Sequence, residues 1–142
     1  MRISNYQEKD KEQVKSLISS VLKEIFHTSA SGLEDLDDIK ENFKIFLVAK
    51  EKNEVIGTVG VKEYKGSARI SRMYLRKDYR GKGLGKKLMK KVLDYSEKHY
   101  DKVMLTTYTQ MGSQTFYERM GFNVSKKEGD RIWMDKPWPT LK

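Results

Sequence analysis

Asp78-Tyr79-Arg80-Gly81-Lys82-Gly83-Leu84-Gly85-Lys86-Lys87 places three alternate glycines and four cations between a strand-like run and a long helical pattern. Glycine tolerates positive φ and lets the backbone approach a ligand closely. The first amides of the following helix lack intrahelical acceptors and carry the positive end of the helix dipole. This segment therefore predicts an anion-binding turn, and phosphate is the anion that such turns typically hold.

The spacing of the glycines separates three kinds of phosphate loop. A nucleotide-triphosphate loop requires Gly-Lys-Ser/Thr four residues after its first glycine, but Lys86 occupies that place after Gly81. A dinucleotide loop requires a third glycine where this chain has Lys86 or Leu88. The pattern Arg/Gln-x-x-Gly-x-Gly/Ala is met by Arg80, Gly83 and Gly85. In this pattern the chain resembles the acetyl-CoA loop of the GNAT N-acetyltransferase superfamily.

Two further segments resemble the same family and stand in its order. Arg72 to Tyr79 is similar to the strand that leads into the loop. Gln110 to Phe122 is similar to the late helix of the family, "A-x-x-F-Y-x-K-x-G-F", with Ser113 in place of Ala. The resemblance implies an α+β fold, the GNAT fold. It has a mixed sheet of about seven strands, antiparallel at the N-terminal side, with a splayed parallel pair at its centre and flanking helices.

The resemblance also implies roles for individual residues. The cofactor-binding residues would be Met73, Tyr74 and Leu75 for the pantetheine arm, Arg80, Gly81, Lys82, Gly83, Leu84, Gly85 and Lys86 for the diphosphate, and Gln110 and Ser113 beside the arm. Main-chain amides near Met73 to Leu75 would also polarise the thioester carbonyl. Tyr117 matches the family tyrosine that acts as general acid toward the departing CoA thiolate.

The general base is not fixed by the resemblance. Many members that acetylate lysine have Glu on the strand before the loop, eleven residues upstream of the Arg/Gln, where this chain has Arg69. Glu63 is the tentative base. The alternatives lie in an acidic segment, Ser29 to Asn42, with a net charge of −4. Its members Glu34, Asp35, Asp37 and Asp38 are also the tentative substrate-binding residues, which favours a cationic small-molecule amine.

Composition limits the class of protein. The 142 residues suit one domain, here 1–142, and the absence of cysteine with only two histidines predicts no metal site. No apolar run approaches the length of a membrane span, so a cytoplasmic protein without membrane partners is expected. The residues from Lys62 to Lys102 include fourteen Lys or Arg and five Asp or Glu, a net of +9 that equals the whole chain's excess. That charge suits CoA phosphates, and no motif for specific nucleic-acid recognition accompanies it.

Hydrophobic periodicity predicts the element order β-α-(α)-β-β-β-α-β-α-β-β. Asp10 is expected to cap the first helix, with Gln13 in capping-box spacing. The segment from His27 to Asn42 is expected to form a loop with a short helix.

The function that follows is acetyl-CoA-dependent transfer of an acetyl group directly to a primary amine, by a monomer or homodimer. Two alternatives stay open: transfer to a peptide or protein amine, and a regulatory module that binds acyl-CoA without turnover.

Overall fold

The structure, a computed structural model, describes residues 1–27 and 32–138, so the loop predicted for 27–42 lies partly outside the described residues. Its elements are β1 (Arg2–Asn5), α1 (Lys11–Phe26), α2 (Ile39–Asn42), β2 (Ile45–Glu51), β3 (Glu54–Tyr64), β4 (Ser67–Leu75), α3 (Leu84–His99), β5 (Val103–Tyr108), α4 (Gln114–Arg119), β6 (Asn123–Glu128) and β7 (Arg131–Lys136). The predicted element order is confirmed.

The seven strands form one mixed sheet in the order β1-β2-β3-β4-β5-β7-β6. Neighbouring strands are antiparallel except for β4 and β5, which are parallel because α3 connects them as a crossover. The predicted fold class, a mixed sheet with an antiparallel N-terminal side and a central parallel pair, is confirmed.

The parallel strands β4 and β5 pair with each other over a very short length. Cα partners are found only for Ala68 with Val103 and for Arg69 with Met104. Beyond Arg69 the two strands diverge, so the edge of β4 from Ile70 to Leu75 has no strand partner on the β5 side among the described residues. This gap is the splay that the resemblance implies, and it is the feature that positions the site.

Each face of the sheet has its own hydrophobic core. On one face α1 and α2 pack through Val14, Ile18 and Ile39 against strands β2 and β3. On the other face α3 buries Leu88 and Met89 against β3, β4 and β5. The lysines of α3 lie on its exposed side, as the periodicity predicts.

The predicted capping box at Asp10 and Gln13 is wrong. Asp10 makes no side-chain cap to α1; its carboxylate accepts from Gln7 N at 3.0 Å and pairs with Lys50 Nζ at 2.6 Å. Gln13 instead accepts from Val55 N at 2.8 Å and so ties α1 to β3. Asp10 pairs with Lys50 in place of capping α1, because Lys50 is a buried cation and a buried charge requires a counter-charge.

We expect the Asp10–Lys50 pair to be the most sensitive polar contact of the fold, because its side chains are only 2% and 9% exposed. Asp10→Asn leaves the Lys50 charge buried and unpaired, which costs about 3–5 kcal/mol. Urea unfolding measures the loss. The matched control is Asp37→Asn, which removes an exposed partner of Lys15 and should leave the unfolding midpoint nearly unchanged. Equal midpoint shifts in the two variants would contradict this assignment.

Candidate active site

A β-bulge in β4 shapes the edge of the gap. Arg72 and Met73 stand together opposite Val59 of β3, and Arg72 has a left-handed φ of 55°. Thr58 Oγ1 donates to the carbonyl of Arg72 at 2.8 Å and holds the bulge in place. Because Arg76 N donates to Ile56 O of β3, alternation along the strand directs the amide of Leu75 toward the gap.

The glycine loop presents a set of free amides. Gly81 and Gly83 have φ of 74° and 84°, and an added Cβ at either would meet no atom within 4 Å. Lys87 N donates to Gly83 O, but no hydrogen-bond acceptor among the described residues faces the amides from Gly81 to Lys86. This arrangement suits a bound anion, as the sequence predicts.

The cations of the loop differ in their availability. Lys82 and Lys86 are exposed. The Arg80 guanidinium donates to both carboxylate oxygens of Glu24 on α1, at 2.8 and 3.0 Å, and its Nε donates to Leu75 O at 3.0 Å. The hydrogen bonds from Arg80 lower the pKa of Glu24. An anion that binds Arg80 must therefore share this guanidinium with Glu24 or displace it.

A cavity of about 390 Å³, the apolar cavity, connects the loop to the gap. It is lined by Val21, Ile25, Met73, Tyr74, Leu75, Arg80, Gly81, Gly85, Met111, Gly112, Ser113, Phe116 and Tyr117. Gly85 borders it closely, since an added Cβ would lie 3.3 Å from Met73 Cε and 3.5 Å from Phe116 Cζ. The cavity is mainly apolar in lining and brings together most of the residues predicted to bind the cofactor.

A second cavity of about 430 Å³, the cationic cavity, lies between the diverging strands. It is lined by Gly32, Glu34, Asp35, Lys62, Arg69, Ile70, Ser71, Arg72, Met73, Tyr74, Leu105, Thr106, Thr107, Tyr108, Met111, Tyr117 and Arg131. The two cavities share Met73, Tyr74, Met111 and Tyr117, so their lining residues meet at the side chain of Tyr117.

Tyr117 lies in α4 and is 8% exposed. Burial raises the pKa of its phenol, the nearby Tyr74 raises it further, and a hydrogen bond with Ser113 acts in the opposite direction. Ser113 Oγ is itself 3.1 Å from Thr107 Oγ1 of β5. Tyr117 is therefore a protonated hydrogen-bond donor at neutral pH.

Asp35 is held by two cations of the sheet. The Arg72 guanidinium donates to it through Nη2 at 2.7 Å and Nε at 3.1 Å, and Lys62 Nζ lies 2.9 Å away. Burial alone would raise the pKa of Asp35, but these hydrogen bonds outweigh it and the pKa lies below its usual value. Its negative charge is thus already balanced within the protein.

The other acidic residues predicted to bind substrate are not gathered into one site. Asp37 pairs with Lys15 at 2.8 Å, and Asp38 caps α2 by accepting from Glu41 N at 3.2 Å. Glu34 is exposed and lines the cationic cavity, where it has no ion-pair partner among the described residues.

Glu63 and Gln110 are among the predicted site residues that line neither cavity. Glu63 accepts from the Tyr100 hydroxyl at 3.2 Å and lines neither cavity. Gln110 Nε2 donates to Asp130 Oδ2 at 2.5 Å, which ties it to the β6–β7 hairpin. Neither side chain faces the region where the two cavities meet.

The sequence reasoning missed the basic residues of the cationic cavity. The predicted site includes none of the cavity-lining residues Lys62, Arg72 and Arg131. It mentions Arg69 only because this residue stands where a basic catalyst, Glu, was sought. The alternation of residues along β4 could have indicated them. Arg69 and Ser71 alternate with the buried Ala68 and Ile70 and therefore lie on the other face of the strand.

Within residues 1–27 and 32–138, no cluster of three or more His, Asp or Glu side chains has an arrangement that would hold a metal ion. No helix in that part of the chain has the length and apolar composition needed to cross a membrane.

Comparison with known proteins places these features among acetyltransferases. The sequence profile of the Acetyltransferase (GNAT) family matches residues 11–122. The N-acetylaspartate synthetase of Xenopus tropicalis is 30% identical over an alignment of 105 residues, and the match covers 68% of this chain and 39% of that relative. The chain thus spans well under two thirds of the length of this curated relative.

Solved structures share the fold across almost the whole chain. An acetyltransferase of the GNAT family from Staphylococcus aureus Mu50 has a TM-score of 0.84 at 24% identity, covering 96% of this chain and 98% of its own. The PaiA N-acetyltransferase of Thermoplasma acidophilum, solved in complex with coenzyme A, has a TM-score of 0.79 at 20% identity, covering 97% and 100%. The GNAT fold that the resemblance implies is confirmed.

The ion pairs of Asp35 predict a specific dependence of stability on pH. Its folded-state pKa lies below the unfolded value of about 3.9, so its contribution is fully present above that value and is lost as pH falls through the folded pKa. Asp35→Asn should therefore be less stable than the wild type at pH 7, and the difference should shrink below about pH 4. Urea unfolding across this range measures it. An equal deficit at pH 3 and pH 7 would contradict the assignment.

Proposed function

Because this chain belongs to the Acetyltransferase (GNAT) family, we propose that it transfers an acetyl group from acetyl-CoA directly to a primary amine. The proposal includes one N-acetyltransferase domain that spans residues 1–142. The observation that carries it is the opening of β4 from β5 after two residue pairs, with the apolar cavity on one side of Tyr117 and the cationic cavity on the other. These two cavities provide separate places for a cofactor and an acceptor.

The residues around the apolar cavity fit a CoA thioester. The free amides from Gly81 to Lys86, with exposed Lys82 and Lys86, suit its diphosphate. The backbone of β4 from Met73 to Leu75 suits the amide groups of an extended arm, because that edge of β4 has no strand neighbour on the β5 side among the described residues. Leu84 is buried and would contribute only its backbone. The complex of a similar structure with coenzyme A supports this assignment.

Bound acetyl-CoA would supply a thioester whose C–S bond breaks as the C–N bond to the amine forms, while one proton leaves the amine and one reaches the sulfur. Tyr117 is the proposed general acid. In water, transfer from a phenol (pKa about 10) to a thiolate (conjugate pKa about 8.5) is uphill by roughly 2 kcal/mol. Burial weakens the phenol further but also destabilises a thiolate, so a hydrogen bond from Tyr117 stabilises the leaving group.

Glu34 is the proposed acceptor of the amine's proton, directly or through water. It is the lining carboxylate of the cationic cavity that has no ion-pair partner among the described residues. Glu63, the tentative base, is engaged with Tyr100 and lies outside the cavity, which makes it the weaker candidate.

A small-molecule amine is the proposed acceptor class. The expected preference for a cationic amine rested on the acidic segment, and three of its carboxylates have partners within the protein. That argument for a cationic amine is therefore weak. The name of one relative, N-acetylaspartate synthetase, supports including amino acids among the acceptors to be tested.

Thiol release from acetyl-CoA, measured across a panel of amines, tests the proposed function. In Tyr117→Phe we expect kcat to fall about 10²- to 10⁴-fold, which is the usual contribution of a general acid. The dissociation constant for acetyl-CoA should change little, since only one hydroxyl is removed. The matched control is Tyr95→Phe, which removes a hydroxyl from the helix α3 outside both cavities.

Confirmed acetyl-CoA binding with no thiol release from any amine would reject the enzyme and favour the regulatory module. Transfer only to peptides would favour a peptide or protein amine as the acceptor.

The Arg80–Glu24 pair makes a second prediction about the cofactor. Arg80→Gln removes a cation from the loop and should weaken CoA binding about fivefold or more, whereas Glu24→Gln frees that cation and should tighten binding about twofold to fivefold. Calorimetric titration with CoA measures both. Changes in the same direction would show that Arg80 does not contact the ligand.

A further inference from the structure

The charge of the cationic cavity is opposite to the one expected from the acidic segment. Four cationic side chains line it, Lys62, Arg69, Arg72 and Arg131, against the two carboxylates Glu34 and Asp35, a net of +2. A ligand that occupies this cavity enters a positive field.

Two of the four cations have an ion-pair partner and two have none. Lys62 and Arg72 both bind Asp35. No carboxylate of the described residues lies within ion-pair distance of Arg69 or Arg131. The uncompensated charge of the cavity is therefore carried by these two guanidinium groups.

Arg131 has a buried donor without an acceptor. Its Nε is shielded from solvent and makes no hydrogen bond with any described residue. Its guanidinium carbon lies 4.6 Å from the centroid of the Trp133 ring, which fixes the group beside the sheet without satisfying that donor. Buried donors are nearly always hydrogen-bonded, so an unpaired one that borders a cavity indicates a missing acceptor.

Arg69 and Arg131 are brought to the same face of the sheet by strand register. Arg69 pairs with Met104, Trp133 with Thr106, and Arg131 with Tyr108. Residues directly opposite one another share a face, and alternate residues along β5 share it as well. Arg69 Nη2 also donates to Thr106 Oγ1 at 3.0 Å, which holds its guanidinium over the gap.

We propose that the acceptor of this enzyme is an amine that carries a carboxylate, and that Arg69 and Arg131 bind this carboxylate. The inference rests on the proposed function, because it assigns the cationic cavity to the acceptor. Guanidinium groups bind carboxylates through paired, charge-assisted hydrogen bonds, and Arg131 Nε provides a donor that needs such an acceptor.

The same arrangement orients the acceptor and excludes other amines. With its carboxylate at Arg69 and Arg131, the acceptor's amine is left to approach other residues that line the cavity, among them Glu34 and Tyr117. A diamine would instead bring a second positive charge beside two uncompensated guanidinium groups, and repulsion would oppose its binding. Arg69 also stands where, by resemblance, enzymes that acetylate lysine carry Glu, which fits an acceptor of opposite charge.

Matched acceptor pairs test the proposal. Glycine, L-alanine, L-aspartate and L-glutamate are each compared with the amide in which every carboxylate is replaced, and a linear diaminoalkane serves as the cationic amine. The wild type should use the acids with a kcat/KM about tenfold or more above the amides. The comparison is conservative, because the amide form has the less basic amine and so more of it is neutral at a given pH.

Two arginine variants assign the preference to residues. Arg69→Gln and Arg131→Gln should each lower kcat/KM for the acids about tenfold or more, leave the amides within about threefold, and leave acetyl-CoA affinity unchanged. Arg131→Lys should retain part of the preference because it keeps the charge and loses the paired donors. The matched control is Lys126→Gln, since that ammonium lies 4.8 Å over the same Trp133 ring but does not line the cavity.

The outcomes separate this inference from the proposed function. Absence of thiol release with every amine rejects the function itself. Acetylation of amides or the diamine as efficiently as the acids keeps the function and rejects the inference. Equal losses for acids and amides in the arginine variants also reject it. If a variant does not fold, the acid-to-amide ratio of the wild type still decides the question.

Discussion

The separation of two parallel strands after only two residue pairs is the constraint on which the rest of this structure depends. A sheet interior normally satisfies every backbone group, so strands that part in the middle leave amides and carbonyls that need another partner. The bulge at Arg72 and Met73 shapes the edge of β4 that borders this gap, and α4 places Tyr117 at the gap. The fold thus holds its interior open without a domain boundary, and both cavities are products of this one departure from regular pairing.

Electrostatic pairing within the chain determines which charges remain available to a ligand. Asp35 pairs with both Arg72 and Lys62, and Glu24 pairs with Arg80, although all of these residues border the two cavities or the glycine loop. Overall charge is therefore a poor guide to the site. Three carboxylates of the acidic segment are engaged in contacts within the protein. The exposed Lys82 and Lys86 of the loop have no carboxylate partner among the described residues, whereas the neighbouring Arg80 is paired with Glu24.

The order of elements and the glycine turn before α3 were predictable because they depend on local patterns, namely hydrophobic period, glycine spacing and the helix that follows. The Asp10 cap and the acidic substrate site were not, because each was decided by a partner distant in sequence: Lys50 for Asp10, and Arg72 with Lys62 for Asp35. The cationic cavity could not be predicted from the sequence for the same reason. Arg69 and Arg131 line the same cavity only because β7 inserts beside β5, which no local pattern of either segment contains.

The contact between Glu24 and Arg80 has a kinetic consequence. A carboxylate fixed by α1 beside the loop acts as an intramolecular competitor at a constant effective concentration for any anion that uses Arg80. Competition of this kind shortens the residence time of a spent ligand, since the guanidinium always has an alternative partner at hand. An enzyme that releases one nucleotide-bearing product in each catalytic cycle turns over faster with such a contact, and it binds that ligand with lower affinity.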